Sequence, residues 1–278
     1  MGSLDILFSE LKPIVHTYFF QLKEMWNRFV FFCIVIVLIG ILIGLLPFLM
    51  IPENGLPDTQ ATYFEAGLEF MVLINIFSVC FFFSGIICTE FSNKTGYIVF
   101  PKINKYKLIT GKFLGSLTLN IAVIAVYYYI LGILGLFYYG WPINERLFLS
   151  FAIACIYVLA VASFVTLFSS FMNNVNFTII ITILILLIGF EIADEIVALS
   201  NYEIEPLYSL DYLSKLISAV LKKKFPKTRE ERYEDFTIEG IKYRDWITPS
   251  IEEGVIIMLI YAVLCLITAM LIFKRKQL

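Results

Sequence analysis

Six apolar runs, each long enough to cross a lipid bilayer, dominate this sequence of 278 residues. A membrane-spanning helix needs about 20 mainly apolar residues, because each residue adds about 1.5 Å along the axis and the hydrocarbon core is about 30 Å thick. The six runs are Phe29–Met50, Phe70–Thr89, Phe113–Tyr139, Leu147–Met172, Val175–Phe190 and Val255–Phe273. At 60% hydrophobic residues, the chain also exceeds the roughly 45–50% of soluble domains. The sequence therefore predicts an all-α polytopic membrane protein with six transmembrane helices.

The loop between the second and third runs fixes the predicted topology. Residues 90–112 carry five lysines, and Glu90 is their single acid. Short loops rich in lysine and arginine stay on the cytoplasmic side during insertion. Alternation from this loop predicts a multi-pass protein of the cell membrane, with both termini cytoplasmic and with residues 51–67, 140–146 and 191–252 outside the cytoplasm. The basic tail that follows the last run agrees with this orientation.

Residues 1–28 precede the first run and have the pattern of an amphipathic helix lying at the membrane interface. Apolar residues recur there at steps of three or four, at Leu4, Leu7, Leu11, Ile14, Tyr18, Leu22, Met25 and Phe29. The opposite face carries Lys12, Gln21 and Lys23. Pro13 is expected to break this elbow helix into two pieces, or to open the second piece as its first-turn residue.

Residues 191–252 form a long extracytoplasmic segment in this topology. One helical face is predicted at Leu210, Leu213, Ile217 and Val220, and Asp211 and Lys215 have the spacing of an ion pair on that helix. Period-two alternation around Glu239-Gly240 predicts a hairpin over 236–243. Residues 29–190 then hold the first five membrane helices, and 253–278 hold the sixth helix with its basic tail.

Gly40 and Gly44 are four residues apart in the first run. Glycines at this spacing let helix backbones approach closely in lipid. Packing within one chain and contact with a second copy are both consistent with them. Six helices form a small bundle, so a substrate path would form more naturally between two copies.

The inventory of reactive residues argues against enzyme chemistry in this chain. His16 is the only histidine, so neither a zinc HExxH site nor a Ser-His pair can be built. The acids Glu69, Glu90 and Glu191 lie at the ends of runs, and proton-coupled or sodium-coupled pumps need ionisable groups deeper in the bilayer. We therefore expect no catalytic residue, no metal site and no nucleic-acid partner.

Asn75 and Asn120 are the polar residues within runs that best fit a translocation path. An amide is costly to leave without a hydrogen bond in hydrocarbon. The alternative interpretation is that both residues join neighbouring helices, a role polar side chains often have in membrane proteins.

The energy for transport would have to come from another subunit. Gly111-Lys112 is followed by Phe113 instead of Ser or Thr, so it is not a phosphate-binding GxxxxGK[ST] loop. Residues 92–100 are predicted to form a short helix along the membrane, with Tyr97 and Phe100 available to fill a groove in a partner. A solvated basic loop is the alternative, and it explains the lysines but not these interleaved aromatic residues.

The same loop resembles a known family. Glu90, Thr95-Gly96, Pro101, the basic residues up to Lys107, and Gly111-Lys112 before the next run are similar to the pattern of ABC-2 (type-2 exporter) permeases. The plan of an elbow helix, six spans, a coupling loop after helix 2 and an outer segment between helices 5 and 6 is also similar. The outer segment is longer and more charged than the short hairpins common in that family.

The resemblance implies a permease that works with a cytoplasmic ABC ATPase subunit, which would bind ATP and Mg. It implies that this ATPase contacts the residues Glu90, Phe91, Lys94, Thr95, Gly96, Tyr97 and Phe100. It also implies that the first and fifth helices meet a second permease copy in a homodimer or heterodimer. We expect export of a hydrophobic or amphipathic substrate. The rival hypothesis is a non-transporting membrane anchor or sensor whose segment 191–252 binds a ligand.

Overall fold

A computed structural model describes residues 3–49, 57–92, 104–201, 203–222, 224–226, 228–238 and 241–275. Within these ranges, six helices are long and apolar enough to cross a membrane, which confirms the predicted fold class. We call them spans 1 to 6: Trp26–Leu49, Gln60–Ser92, Lys105–Tyr139, Arg146–Phe171, Val175–Ser200 and Ile251–Arg275. Span 2 consists of span 2a, Gln60–Phe83, and span 2b, Gly85–Ser92. Span 5 contains a π-helical turn at Ile185–Gly189 between Val175–Leu184 and Phe190–Ser200.

Three spans extend at one end by eight or more residues beyond the apolar runs that predicted them. Span 2 begins at Gln60 because Thr59 caps it, accepting a hydrogen bond from the Thr62 amide. Span 3 begins at Lys105 because the side chain of Asn104 accepts from the Tyr106 amide. Span 5 continues to Ser200 as an amphipathic helix beyond the apolar run. Hydropathy locates the membrane-crossing part of each helix, whereas these helix ends are set by caps and polar turns.

Spans 2 and 4 form the centre of the bundle. Of the most apolar 18 residues in each span, 72% are buried in span 2 and 56% in span 4, against 17% in spans 1 and 5 and 22% in span 6. Phe82 and Tyr157 are among the fully buried side chains at this centre. Span 6 packs along span 4. The remaining faces of spans 1, 5 and 6 are apolar and exposed, as expected for helices in contact with lipid or a second protein.

The N-terminal helix is continuous over Ser3–Glu24, so the predicted break at Pro13 is wrong. Proline removes one backbone donor from a helix interior, yet here the surrounding contacts hold the helix together. The hydroxyl of Thr17 donates to the Pro13 carbonyl at 2.8 Å. The helix lies along span 3, where a Cβ added to Gly111 would be 2.7 Å from the Ile14 carbonyl oxygen. This close packing on span 3 keeps the N-terminal helix continuous past Pro13.

The face of the N-terminal helix that packs on span 3 also differs from the predicted one. Gln21, placed on the polar face by the sequence pattern, is only 1% exposed and faces span 3. Phe19 and Phe20 are each 61% exposed. The reason is the groove made by Gly111 and Gly115, which admits short or polar side chains and offers a hydrogen-bond partner beside it. The larger apolar residues are therefore left to face the lipid.

Both elements predicted in the segment between spans 5 and 6 are confirmed. The linker helix, Leu210–Ala219, packs its apolar face on spans 2 and 4 and is capped by Ser209. Strands β1, Tyr233–Ile238, and β2, Ile241–Trp246, pair antiparallel from Tyr233 opposite Trp246 to Ile238 opposite Ile241. Among the described residues, Lys215 donates to the Trp246 carbonyl at 3.3 Å and forms no salt bridge with Asp211, so the predicted ion pair is wrong.

Candidate functional site

The backbone of span 2 is interrupted at Ser84, eight residues before span 2b ends at Ser92. The Ser169 hydroxyl, from span 4, enters the hydrogen-bond ladder there. It accepts from the amides of Ile87 and Cys88, each at 3.1 Å, and donates to the Ser84 carbonyl at 2.6 Å. A side chain inserted into a helix ladder is an established cause of kinks. Span 2b is therefore joined to span 2a by a locally altered hydrogen-bond pattern.

Two further helices satisfy the carbonyl groups beside this interruption. Arg28 of span 1 donates to the Phe81 carbonyl at 2.5 Å. Ser116 of span 3 donates to the Phe82 carbonyl at 3.4 Å. Backbone groups freed within a membrane span need such partners, because each unsatisfied group costs several kcal/mol in hydrocarbon. The interruption is thus held from three sides, by spans 1, 3 and 4.

A buried ion pair joins span 2b to span 3. The Lys112 ammonium lies 2.5 Å from the Glu90 carboxylate, and the two side chains are 9% and 6% exposed. These residues flank the segment 93–103, so the pair connects the two helices between which that segment runs. Sequence reasoning placed Glu90 at the surface contacted by an ATPase and missed its pairing with Lys112. The structure directs the Glu90 carboxylate to Lys112, and a contact with an ATPase stays a prediction.

The end of span 6 contacts both sides of the same segment. Phe91 packs edge-on against Phe273, with ring centroids 5.7 Å apart. The Lys105 ammonium lies 5.5 Å from the centroid of the same ring. Phe273 is fully buried. The other predicted contact residues, Lys94, Thr95, Gly96, Tyr97 and Phe100, lie outside the described residues.

Asn75 and Asn120 meet in the centre of the bundle. The Asn120 amide donates to Asn75 Oδ1 at 3.2 Å, and both residues are at most 1% exposed. One turn away on span 3, Ser116 accepts a hydrogen bond from Gln21 at 3.1 Å. We call these four residues the polar seam. Within the described residues, Asn75 Nδ2, Asn120 Oδ1 and Gln21 Oε1 have no hydrogen-bond partner. The seam joins helices in this conformation and retains unused hydrogen-bonding capacity.

The structure brings the two predicted path residues together and adds two that the sequence did not indicate. Gln21 was missed because it lies opposite the apolar residues of the N-terminal pattern, which suggested a side chain facing away from the bundle. Ser116 was missed because a single serine in an apolar helix has no distinctive signal. Gly111 and Gly115, four residues apart like Gly40 and Gly44, indicate from the sequence a close helix contact there, and the structure shows that the partner is the N-terminal helix.

Gly40 and Gly44 pack span 1 against span 3. A Cβ added at Gly40 would lie 2.6 Å from Ile130 Cγ2, and one at Gly44 would lie 3.0 Å from Leu134 Cδ2. Their role in this structure is therefore helix packing within the chain. The exposed apolar face of span 1, which includes Leu38, lies away from this contact.

The fold and these contacts define a polytopic helical membrane protein. Its interrupted span 2 leads into segment 93–103, whose two sides are anchored on spans 2, 3 and 6. A sequence model of the ABC-2 family transporter proteins matches residues 103–278, which is more than half of the chain. The chain belongs to this family, and it is a membrane permease of an ABC transporter, the transmembrane component and not the ATPase. The match covers spans 3 to 6. A search of curated proteins gave no match.

Proposed function

We propose that this permease works as a dimer with two cytoplasmic ABC ATPase subunits and exports a hydrophobic or amphipathic substrate. The ATPase partner would bind ATP and Mg, and segment 90–112 would receive its movement. The observation that carries the proposal is the anchoring of both sides of segment 93–103. Glu90 pairs with Lys112, and Phe91 and Lys105 both contact Phe273, so a force on this segment acts on spans 2, 3 and 6 together.

The interruption at Ser84 supports a mechanical role for span 2b. A helix segment whose ladder bonds are shared with Ser169 can change its angle to span 2a by exchanging a few hydrogen bonds. The polar seam lies on the span 2a side of this point, at Asn75 and Asn120. Rotation of span 2b driven by the ATPase would therefore reach the seam through span 2a and open a path beside it.

The composition of the helices around the seam supports the proposed substrate class. Span 2a and residues 113–139 contain only two charged residues, Glu65 and Glu69, and both precede the seam by more than one turn. A path along them offers amides, hydroxyls and aromatic rings. Such a surface suits a hydrophobic or amphipathic molecule better than an ion, because a bare charge in this environment would be left without compensation.

The membership of the chain in a transporter family favours transport over the rival hypothesis of a passive anchor or sensor. The lysines of segment 90–112 support a cytoplasmic position for that segment. The exposed apolar faces of spans 1 and 5 support contact with a second copy, since only 17% of the most apolar part of each span is buried within the described chain.

The test is co-purification of the tagged permease in mild detergent, followed by native mass spectrometry. A complex of two permeases with two ATPase subunits is the expected result. Charge reversal by Lys94→Glu should remove the ATPase while the permease remains folded. Lys222→Glu is the matched control, since Lys222 forms a partly exposed pair with Glu65 at 3.4 Å, remote from segment 90–112. A stable permease without any nucleotide-binding partner would contradict the proposal.

A further inference from the structure

Arg28 of span 1 reaches the outer surface of span 2 beside the interruption at Ser84. Its guanidinium donates to the Phe81 carbonyl at 2.5 Å, and this hydrogen bond is exposed on the side of the bundle. A guanidinium carries five N–H donors and keeps its charge at any physiological pH. Glu24 lies four residues earlier, yet among the described residues neither it nor another carboxylate forms a salt bridge with Arg28. Arg28 therefore has donors and a positive charge available for a ligand.

The lengths of the spans place Arg28 at a surface of the membrane. The hydrocarbon core is about 30 Å thick, and about 20 helical residues cross it. Counting about 20 residues from the ends of spans 1, 2 and 3 that are predicted to lie outside reaches about residues 29, 80 and 119. The hydrogen bond from Arg28 to Phe81 lies at this level, and so does Trp26, which is 54% exposed, as is typical of an interfacial tryptophan. In the predicted topology, the guanidinium lies at the headgroups of the cytoplasmic leaflet.

Span 2a exposes a narrow apolar stripe that begins at the Arg28 contact. Span 2 is the most buried span, yet Phe81, Leu73 and Phe70 are 39%, 44% and 52% exposed, with the half-buried Phe77 between them. Steps of three and four residues place these side chains on one helical face. The stripe is about 16 Å long, which is about half of the hydrocarbon thickness. Its length corresponds to one leaflet, and so to an acyl chain instead of a partner helix that crosses the whole membrane.

We propose that an anionic phospholipid of the cytoplasmic leaflet binds at this place, with its phosphate on Arg28 and one acyl chain along the stripe of span 2a. We call it the lipid site. A guanidinium binds phosphate through two parallel N–H···O hydrogen bonds, which an ammonium group does not offer. A zwitterionic headgroup brings its own positive charge, so an anionic lipid compensates Arg28 more fully.

The lipid site includes a contact that holds the interruption of span 2. The phosphate and the Phe81 carbonyl share one guanidinium, so the bound lipid joins the groups that hold span 2a at its end. Nothing derived above for transport uses the charge of Arg28 or the stripe. Binding needs neither ATP nor a second copy, so its test is independent of the transport proposal.

The experiment is native mass spectrometry of the purified, delipidated full-length permease, titrated with phosphatidylglycerol or with phosphatidylcholine of the same acyl chains. We expect phosphatidylglycerol to bind about fivefold more tightly, the factor that one basic residue near a membrane surface contributes toward anionic lipid. Equal affinities of the two lipids would overturn the proposal, because the acyl chains alone would then account for binding.

Variants of two arginines test the headgroup contact. Arg28→Gln should lower the affinity for phosphatidylglycerol to that for phosphatidylcholine and leave the latter unchanged, a difference that a general loss of folding would not produce. Arg28→Lys keeps the charge without the paired donors and should retain part of the preference. Arg229→Gln is the matched control and should retain all of it, since Arg229 also donates to a backbone carbonyl, that of Glu203 at 3.2 Å, within segment 191–252. A full preference in Arg28→Gln, or its loss in the control, would overturn the assignment to Arg28.

A substitution in the stripe tests the position of the acyl chain. Leu73→Ser should weaken both lipids by the same factor and keep the preference for phosphatidylglycerol, because the two lipids carry the same chains. Leu259→Ser on span 6, where the leucine is 42% exposed, is the matched control and should bind both lipids as the unmodified permease does. Equal effects of the two substitutions would overturn this placement of the chain.

Thermal unfolding in detergent distinguishes a lipid headgroup from a free anion, since both offer a phosphate group. A ligand that binds the folded state alone raises Tm. Phosphatidylglycerol should raise the Tm of the unmodified permease more than that of Arg28→Gln, and millimolar inorganic phosphate should change neither. A rise in Tm with inorganic phosphate that requires Arg28 would assign the site to a free anion and overturn the lipid as its occupant.

Discussion

Removing one member of the buried pair between spans 2b and 3 should destabilise the permease far more than removing both. Lys112→Met removes the ammonium group that lies 2.5 Å from the Glu90 carboxylate, whose side chain is only 6% exposed. Breaking a buried pair in this way costs about 3–5 kcal/mol, because the buried carboxylate loses the attraction of the ammonium group that offset its desolvation. The double variant Glu90→Gln/Lys112→Met removes the charge itself and should lie close to the unmodified protein.

The expected difference is large enough to measure by thermal unfolding in detergent. For chains of 150–250 residues, 1 kcal/mol corresponds to roughly 2–4 °C in Tm. Lys112→Met should therefore lower Tm by about 6 °C or more, and the double variant should recover most of that loss. Together with the single variant Glu90→Gln, these proteins form a double-mutant cycle that isolates the interaction between the two side chains.

The partly exposed pair between Lys222 and Glu65 is the matched control for this cycle. Its side chains are 41% and 28% exposed, and such surface pairs contribute about 0–1 kcal/mol. Lys222→Met should therefore change Tm by no more than about 4 °C. If Lys112→Met had no larger effect than Lys222→Met, the reasoning that the Glu90–Lys112 pair is buried and holds the two spans together would be refuted.

Three other substitutions test separate features of the structure. Ser169→Ala should lower Tm more than Ser163→Ala, because Ser169 bonds two amides and a carbonyl of span 2, whereas the equally buried Ser163 donates to the Leu159 carbonyl of its own helix. Equal effects in thermal unfolding would argue against the interruption at Ser84. Gly111→Ala should loosen the contact of the N-terminal helix with span 3, because the new Cβ would lie 2.7 Å from a backbone oxygen. Gly189→Ala is the control and should be tolerated, because its Cβ would lie 3.5 Å from the nearest side chain. Protease cleavage within residues 1–24 distinguishes the two variants. Burial raises the pKa of Asp211, while Lys215 opposes the shift and Glu191 adds to it, so the ionised carboxylate lowers the stability of the folded protein at neutral pH. Asp211→Asn should therefore raise Tm at pH 7. The gain should vanish below about pH 4, where the carboxyl group is protonated in the unfolded state as well.

Hydropathy and charge were sufficient to predict the six spans, the linker helix and the hairpin, because each depends on a period or a run that repeats over many residues. The ends of the spans were harder to predict from the sequence. Thr59 and Asn104 begin spans 2 and 3 through single side-chain hydrogen bonds, and one capping residue carries little signal in a sequence. The span 5 helix likewise outlasts its apolar run, since a helix does not need to end where its hydropathy does.

The contacts of the candidate site depended on partners that are distant in sequence. Gln21 and Pro13 were misjudged from the N-terminal pattern alone, since the groove that receives the helix belongs to span 3, about 95 residues later. Glu90 was recognised as a special residue, yet its pairing with Lys112 follows from how spans 2b and 3 pack. The Ser84 interruption depends on hydroxyl groups of other helices. None of these contacts produces a periodic pattern in the sequence from which it could be predicted.

The seating of the N-terminal helix on span 3 links the permease to the mechanics of its membrane. Thr17 and Gln21 fix the helix to Gly111 and Gly115, while Phe19 and Phe20 face outward. In the interfacial position that the sequence predicts for this helix, a tilt of span 3 would drag these aromatic side chains through the headgroup region and displace lipids. The elastic resistance of the bilayer then becomes part of the free-energy difference between the conformations of the transporter, and thickness and lateral pressure of the membrane set how readily it cycles.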